Sequence, residues 1–370
     1  MRRSGRGRST SSRYLDWLIG VIAALLIALV VTTLALWPRE GFSCAEQLPA
    51  ESVVTLLPSP LSATSTTVAP TTTTVPPTTT TAPPTTTTLP PAPAPALTFD
   101  GTLAMSHLQA LAAGIGPRKS GTDAEDAAVR YASDYLQSLG YQVVTSEVAL
   151  PNGEVSHNVR ATKGGASSSV ILVGAHIDCK ATAPGGNDNA SGVAVVLELA
   201  RDLLGAGTVP TLQFVLFGAE EMTDSNPDHH HYGSRQLLEG MTADERSALV
   251  GMISVDMVGY GSKFHVRTMN KGPQLLRDML KTFSNENGLT ATYLRDPGTY
   301  GYSDHEPFEL AGFPAVWVEW REDPLYHTAG DTYEHCDATD VQRAGHMLAQ
   351  FLAQLDQADL EALASARTLH

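Results

Sequence analysis

Three cysteines in 370 residues, Cys44, Cys179 and Cys336, allow one disulfide at most, so no disulfide framework holds this chain together. Basic residues are also in deficit. Lysines and arginines number 24 against 39 aspartates and glutamates, and the net charge of −15 argues against nucleic acid as a partner. The imbalance is local: residues 97–370 hold 18 basic and 35 acidic side chains, a net −17, whereas residues 1–96 hold 6 and 4. Residues 58–95 contain no charged side chain at all, and nowhere does the HExxH pattern of one large class of zinc proteases occur.

One hydrophobic run is long, from Trp17 to Trp37, interrupted only by Thr32 and Thr33. As a helix its 21 residues span about 31 Å, the thickness of a bilayer's hydrocarbon core. Tryptophan closes both ends. Five arginines precede the run and only Arg39 follows it closely, which places residues 1–16 in the cytoplasm and everything after the span outside. A cleaved signal peptide would have a shorter apolar core, so the run reads as a retained, single-pass membrane anchor. Gly41-Phe42-Ser43-Cys44 is a poor lipoprotein box, lacking the aliphatic residue, and Arg2-Arg3 is only a fragment of a twin-arginine signal.

Residues 38–57 form a juxtamembrane piece, and residues 58–96 a Thr/Pro-rich linker in which TTTTVPP, TTTTAPP and TTTTLPP follow one another. Such a tract cannot bury a core. Its prolines favour an extended spacer of roughly 3.1 Å per residue, a disordered stalk that serves equally well with or without sugars on its threonines.

The folded domain is residues 97–370. Leu103 to Ala112 reads as a helix, and Thr122-Asp123-Ala124-Glu125 as a capping box opening a second that Gly140 closes. Tyr141–Leu150 and Glu154–Thr162 flank Pro151-Asn152-Gly153 as a hairpin. Strands and helices then alternate: strand Val170–Ala175, helix Val193–Leu204, strand Thr211–Phe217, helix Ser234–Leu238, strand Met252–Val255, helix Gln274–Asn285, strand Ala315–Val318 and a helix from Asp340 to Leu355. Alternation predicts an α/β fold with a mostly parallel mixed sheet sandwiched by helices. Open sheets of that kind bind ligands at the carboxyl ends of their strands.

Those ends carry a pattern. His176 and Asp178 follow VILVGA, Asp188 lies in the polar loop Gly185–Asn189, Glu220 and Glu221 follow LQFVLFGA, Asp256 follows MISV, and Tyr326-His327 follows AVWVEW. Imidazoles and carboxylates gathered at one sheet edge are the ligands of a metal ion.

These residues resemble the co-catalytic di-zinc aminopeptidases, a family related to glutamate carboxypeptidases and glutaminyl cyclases. The resemblance covers about Asp100 to Asp340 and rests on six elements in order: H-x-D at 176–178, N-D-N-A-S-G at 187–192, E-E at 220–221, the aspartate of VDMVG at 256, S-D-H-x-P-F at 303–308 and Y-H-T at 326–328. It implies two zinc ions, one held by His176 and Asp256, the other by Glu221 and His327, with Asp188 bridging them. It further implies Glu220 as general base, Tyr326 as hydrogen-bond donor to the oxyanion, and Asp178 as acceptor from the His176 ring. Asp304 and His305 would shape the site by hydrogen bonds, and Asn187 and Gly192 would serve the loop turn and helix start.

The implied activity is that of a membrane-anchored, extracytoplasmic metallo-aminopeptidase acting on peptides with free N-termini through a water activated between two zinc ions. The alternatives are a glutaminyl cyclase on the same scaffold and a catalytically silent binding module displayed on a stalk. Two features are particular to this chain. Met222–Tyr232 inserts MTDSNPDHHHY, whose His229, His230 and His231 read as part of a variable, solvated loop. Cys179 and Cys336 flank ligand loops that converge on one rim, where an exported domain could join them by a disulfide, leaving Cys44 unpaired.

Overall fold

The computed structural model describes residues 97–368 except residue 227. The expected cytoplasmic tail (1–16), membrane helix (17–37), juxtamembrane piece (38–57) and linker (58–96) lie outside the described residues, as does Cys44. Among the described residues no helix is long and apolar enough to cross a membrane.

Eight strands form one sheet: β1 (Val143–Ala149), β2 (Val155–Lys163), β3 (Val170–His176), β4 (Thr211–Phe217), β5 (Leu249–Val255), β6 (Lys263–Thr268), β7 (Ala291–Arg295) and β8 (Ala315–Arg321), in the order β1-β2-β4-β3-β5-β8-β6-β7. The central four, β4-β3-β5-β8, are mutually parallel. Antiparallel pairings attach β1-β2 at one side and β6 at the other, so the sheet is mixed. Register keeps the parallel strands level: His176 lies opposite Phe217, Gly174 opposite Ser254, and Val255 opposite Val318. Their carboxyl ends therefore open onto one edge.

The strands of that centre are apolar on both faces because helices cover both. Along β3 and β4 the pleat sends Ile171, Val173, Ala175, Phe214 and Leu216 to one core, where they meet Val193 and Leu197 of α3 (Ser191–Asp202). Leu172, Val215 and Phe217 go to the other, against Leu238 of α4 (Tyr232–Gly240) and Phe308. α1 (Gly101–Gln109) and α2 (Asp123–Ser138) precede the sheet in the chain and pack into the first of these cores through Leu108, Ala128 and Leu136; α5 (Ala243–Ala248), α6 (Leu275–Glu286), α7 (His305–Leu310), α8 (Ala338–Gln354) and α9 (Gln357–Ala366) follow.

The structure departs from the sequence reading in particular places. β6, β7, α5, α7 and α9 were not expected. β6 and β7 carry charged side chains rather than an apolar run, and Arg267 of β6 finds partners across the sheet in Asp296 and in Glu319 of β8, each at 2.7 Å. The capping box is only half formed. Thr122 accepts from the Glu125 N–H, but the Glu125 carboxylate turns to the Gly121 N–H at 2.6 Å and to the Ser156 hydroxyl. The disulfide does not form: Cys179 Sγ accepts from the Arg118 N–H at 3.1 Å and faces the Ala183 carbonyl at 3.2 Å, and Cys336 is a separate free thiol.

Candidate metal centre

Each strand exit brings its polar residue to the same place. His176 is the last residue of β3, Glu220 and Glu221 leave β4 by the Gly218-Ala219 turn, and Asp256 follows β5 directly. His327 arrives on the loop after β8. Ala219, Met257 and His327 all have left-handed φ, 53°, 56° and 59°, although none is glycine. Such backbone costs on the order of 1–3 kcal/mol per residue and persists where the surroundings impose it, here at His327 itself, next to Asp256 and two residues before Glu221.

The geometry resolves into two groups sharing one carboxylate. His176 Nε2 lies 3.2 Å from Asp188 Oδ1 and 3.4 Å from Asp256 Oδ1. His327 Nε2 lies 3.0 Å from the other Asp188 oxygen, Oδ2, and 3.2 Å from Glu221 Oε1. Within each of these triads, His176-Asp188-Asp256 and Asp188-Glu221-His327, the donor atoms lie within 4.8 Å of one another, close enough to hold a metal ion. His176 Nε2, Glu221 Oε1 and Asp256 Oδ1 are buried among the described residues without a hydrogen-bond partner. Buried polar atoms without partners are rare, and these converge on the two candidate positions, which fits a metal at each.

The charges agree. Burial opposes protonation of His327, but Asp188 and Glu221 outweigh it and raise the imidazole to about 10. His176 is likewise raised despite its burial, by Glu220, Asp256, Asp178 and Asp188. Burial by itself would raise Asp188, yet its two imidazole neighbours lower it. The carboxylates thus demand positive charge where the two groups converge, and divalent cations supply it without a proton.

Around this centre the chain fixes its loops. Asp178 does more than face the His176 ring, whose Nδ1 bonds the Asp178 carbonyl at 3.1 Å with the carboxylate at 3.6 Å. That carboxylate accepts the Glu220 and Glu221 N–H groups at 3.0 and 3.2 Å and so ties the β3 exit to the β4 exit. Asn187 Oδ1 accepts from Gly259, its amide donates to Asp323, and Gly192 stands so near the Val255 carbonyl that a Cβ there would lie 2.1 Å from it. His305 contacts Asp296 at 2.9 Å, and Asp304 is fully buried. Tyr326 stacks on His327 with ring centroids 3.7 Å apart, keeps 47% of its surface exposed, and lines a cavity of about 380 Å³ with Asp188, Glu220, Met257 and Trp317.

Several residues of the site escaped the sequence reading. Asp331 accepts the Asn187 and Asp188 N–H groups at 2.6 and 3.1 Å, holding the loop that presents Asp188. Buried Arg118 donates to the carbonyls of Ile177, Pro184 and Gly185, at the two ends of the segment joining the H-x-D pair to that loop. Lys180 meets Glu221 Oε2 at 2.6 Å, leaving Oε1 for the centre. The histidine insertion also differs from expectation. His229 pairs with Asp224 at the surface, whereas His230 and His231 are buried, and His231 contacts Glu220 at 2.9 Å.

The family model described as Peptidase family M28 matches residues 158–352. Aminopeptidase YwaD of Bacillus subtilis is 30% identical over 191 residues, covering 48% of this chain and 39% of that protein. The zinc aminopeptidase BSAP from Bacillus subtilis superposes with a TM-score of 0.63 at 19% identity over 70% of this chain and 95% of that one. Tannerella forsythia glutaminyl cyclase does so with 0.62 at 22% identity, over 70% and 100%. The likeness to these two structures concerns the fold alone. The chain spans about two to three fifths of the length of the curated relatives it matches.

Proposed function

The chain belongs to peptidase family M28, and from that premise we propose that it is a two-zinc aminopeptidase. Residues 17–37 anchor it in the membrane, the catalytic domain lies outside the cytoplasm, and it removes N-terminal residues from peptides. The observation that carries the proposal is the sharing of Asp188, one oxygen to the His176-Asp256 pair and the other to the Glu221-His327 pair.

His176, Asp256 and Asp188 Oδ1 would hold one zinc; Glu221, His327 and Asp188 Oδ2 would hold the other. When bound, the ions lower the pKa of water and polarise the scissile carbonyl. The chain's own residues do the rest. Glu220 lies beside the centre, its Oε2 4.0 Å from His176 Nε2. Burial raises its carboxyl while His176 and His231 oppose that, and a buried carboxylate beside the proposed water is placed to take a proton from it and return it to the leaving amine. Tyr326, on the cavity wall next to His327, donates a hydrogen bond to the carbonyl oxygen as charge develops there. Met257, Trp317 and Tyr302 line the space for the N-terminal side chain.

The test measures the full chain on amino-acid anilides and on peptides with N-terminal glutamine, with and without chelator. Cleavage of anilides should require metal, and Glu220→Gln should lower kcat by roughly 10²–10⁴-fold while metal content stays unchanged. Cyclisation of glutamine without cleavage would instead make the protein a cyclase. Full metal occupancy with neither reaction would make it a binding module.

A further inference from the structure

The two carboxylate oxygens of Glu220 have different surroundings. Oε2 is the one near His176, whereas Oε1 lies 2.9 Å from Nε2 of His231. The other nitrogen of that ring, Nδ1, is within ion-pair distance of Oε2 of Glu306 on α7, at 3.0 Å, although its N–H is not aligned for a hydrogen bond. Glu306 is itself held, its Oε2 accepting the Gly301 N–H at 3.1 Å and its Oε1 facing Arg235 Nη2 at 3.3 Å. His231 is 2% exposed and sits in left-handed backbone with φ 55°, so the insertion accepts local strain to bring this ring inward.

We propose that His231, oriented by Glu306, is a positioning residue for Glu220: it donates its Nε2 hydrogen to Oε1 and leaves Oε2 as the oxygen that takes and returns the proton. The inference rests on the reading of Glu220 as the general base. A carboxylate free to rotate offers either oxygen in many orientations, and one oxygen tied to a buried ring offers the other in few. The groups facing His231 support the doubly protonated ring this needs. Burial opposes its charge, but Glu220 and Glu306 override that and raise it to about 10, with Asp304 also nearby and His230 edge-on at 4.0 Å. His230, His231 and Glu306 also present donors spaced as for a metal ion. Arg235 occupies that neighbourhood, 3.1 Å from His230 Nε2 as well as 3.3 Å from Glu306, and a fixed cation there favours hydrogen bonding over metal binding.

The experiment compares wild type, His231→Leu, His231→Gln, Glu220→Gln, the double variant His231→Leu/Glu220→Gln, and His229→Ala as a control on the insertion. Metal content should be equal in all. His231→Leu should lower kcat at least 30-fold with KM within twofold, His231→Gln should recover part of the loss through its side-chain N–H, and the double variant should be no slower than Glu220→Gln alone. In the metal-free protein, ¹⁵N spectra of labelled histidine should show both His231 nitrogens protonated, the Nε2 signal moving in Glu220→Gln and the Nδ1 signal in Glu306→Gln. Losses that multiply in the double variant, an unchanged kcat in His231→Leu, or a His231 ring with a bare nitrogen would each overturn the proposal. If wild type cleaves nothing, the aminopeptidase reading falls, and the nitrogen signals alone still decide whether His231 grips Glu220.

Discussion

At the scale of single residues, Asp188 concentrates the most proposed function in the fewest atoms. Each of its oxygens serves one of the two groups, at 3.2 Å from His176 and 3.0 Å from His327, so no other side chain can replace it from one side only. Changing it to asparagine removes a negative charge and one oxygen together. Asp188→Asn should therefore bind no more than one zinc per chain by elemental analysis and lose at least 100-fold in kcat. Glu220→Gln, which alters no proposed ligand, should lose activity with both ions retained. Equal metal content in Asp188→Asn and wild type would refute the shared-carboxylate geometry. Lys180 refines the picture, because by engaging Glu221 Oε2 it leaves Glu221 one oxygen, Oε1, for the proposed ion.

At the scale of elements, the junction of α2 with β2 contains a buried acid that pH should expose. Glu125 of α2 is fully buried against Ser156 of β2 and the Gly121 N–H, and burial followed by the nearby Asp178 raises its carboxyl from 4.5 to about 8. Below the unfolded value the residue is protonated in both states and costs nothing. Between about 4.5 and 8 the unfolded chain loses its proton first, so stability falls as pH rises and the penalty is complete above the folded value. Urea denaturation of chelated protein between pH 5 and pH 9 should show wild type losing roughly 2–4 kcal/mol more than Glu125→Gln. Parallel pH profiles would mean that Glu125 titrates normally in the folded protein. This element also shows what a sequence discloses. His176, Glu221 and Asp256 stand at or just past the ends of short apolar strands, and Asp188 and His327 in the polar loops that follow such strands, so their neighbours in the sequence mark them. Glu125, Arg118, Asp331 and His231 have partners 31, 59, 143 and 75 positions away, chosen only when the sheet and its loops come together. β6 was obscured for the same reason, since the partners that make Arg267 acceptable in a buried strand lie on other elements.

At the scale of the whole molecule, the acidic domain and the proposed metal centre are coupled through charge. Residues 97–370 carry a net −17, and three carboxylates of the centre, Asp188, Glu221 and Asp256, are buried within it. Without cations that cluster is balanced by Lys180 at Glu221 and by protons on His176 and His327, whereas two divalent ions would offset its charge and occupy its unpartnered atoms. An ion that binds the folded chain and not the unfolded one stabilises it by about 2.7 kcal/mol per site at a hundredfold excess over Kd. For a domain of this size each kcal/mol moves Tm by roughly 2–4 °C, so removing both ions should lower Tm on the order of 10 °C. Differential scanning calorimetry with and without chelator, followed by zinc restoration, measures this directly. Asp188→Asn supplies the internal control, because a chain that cannot share the carboxylate should show less than half the shift. A chelated wild type that melts at the same temperature as the zinc-supplemented protein would mean that the converging ligands hold no structural ion, and the proposed activity would lose its physical basis.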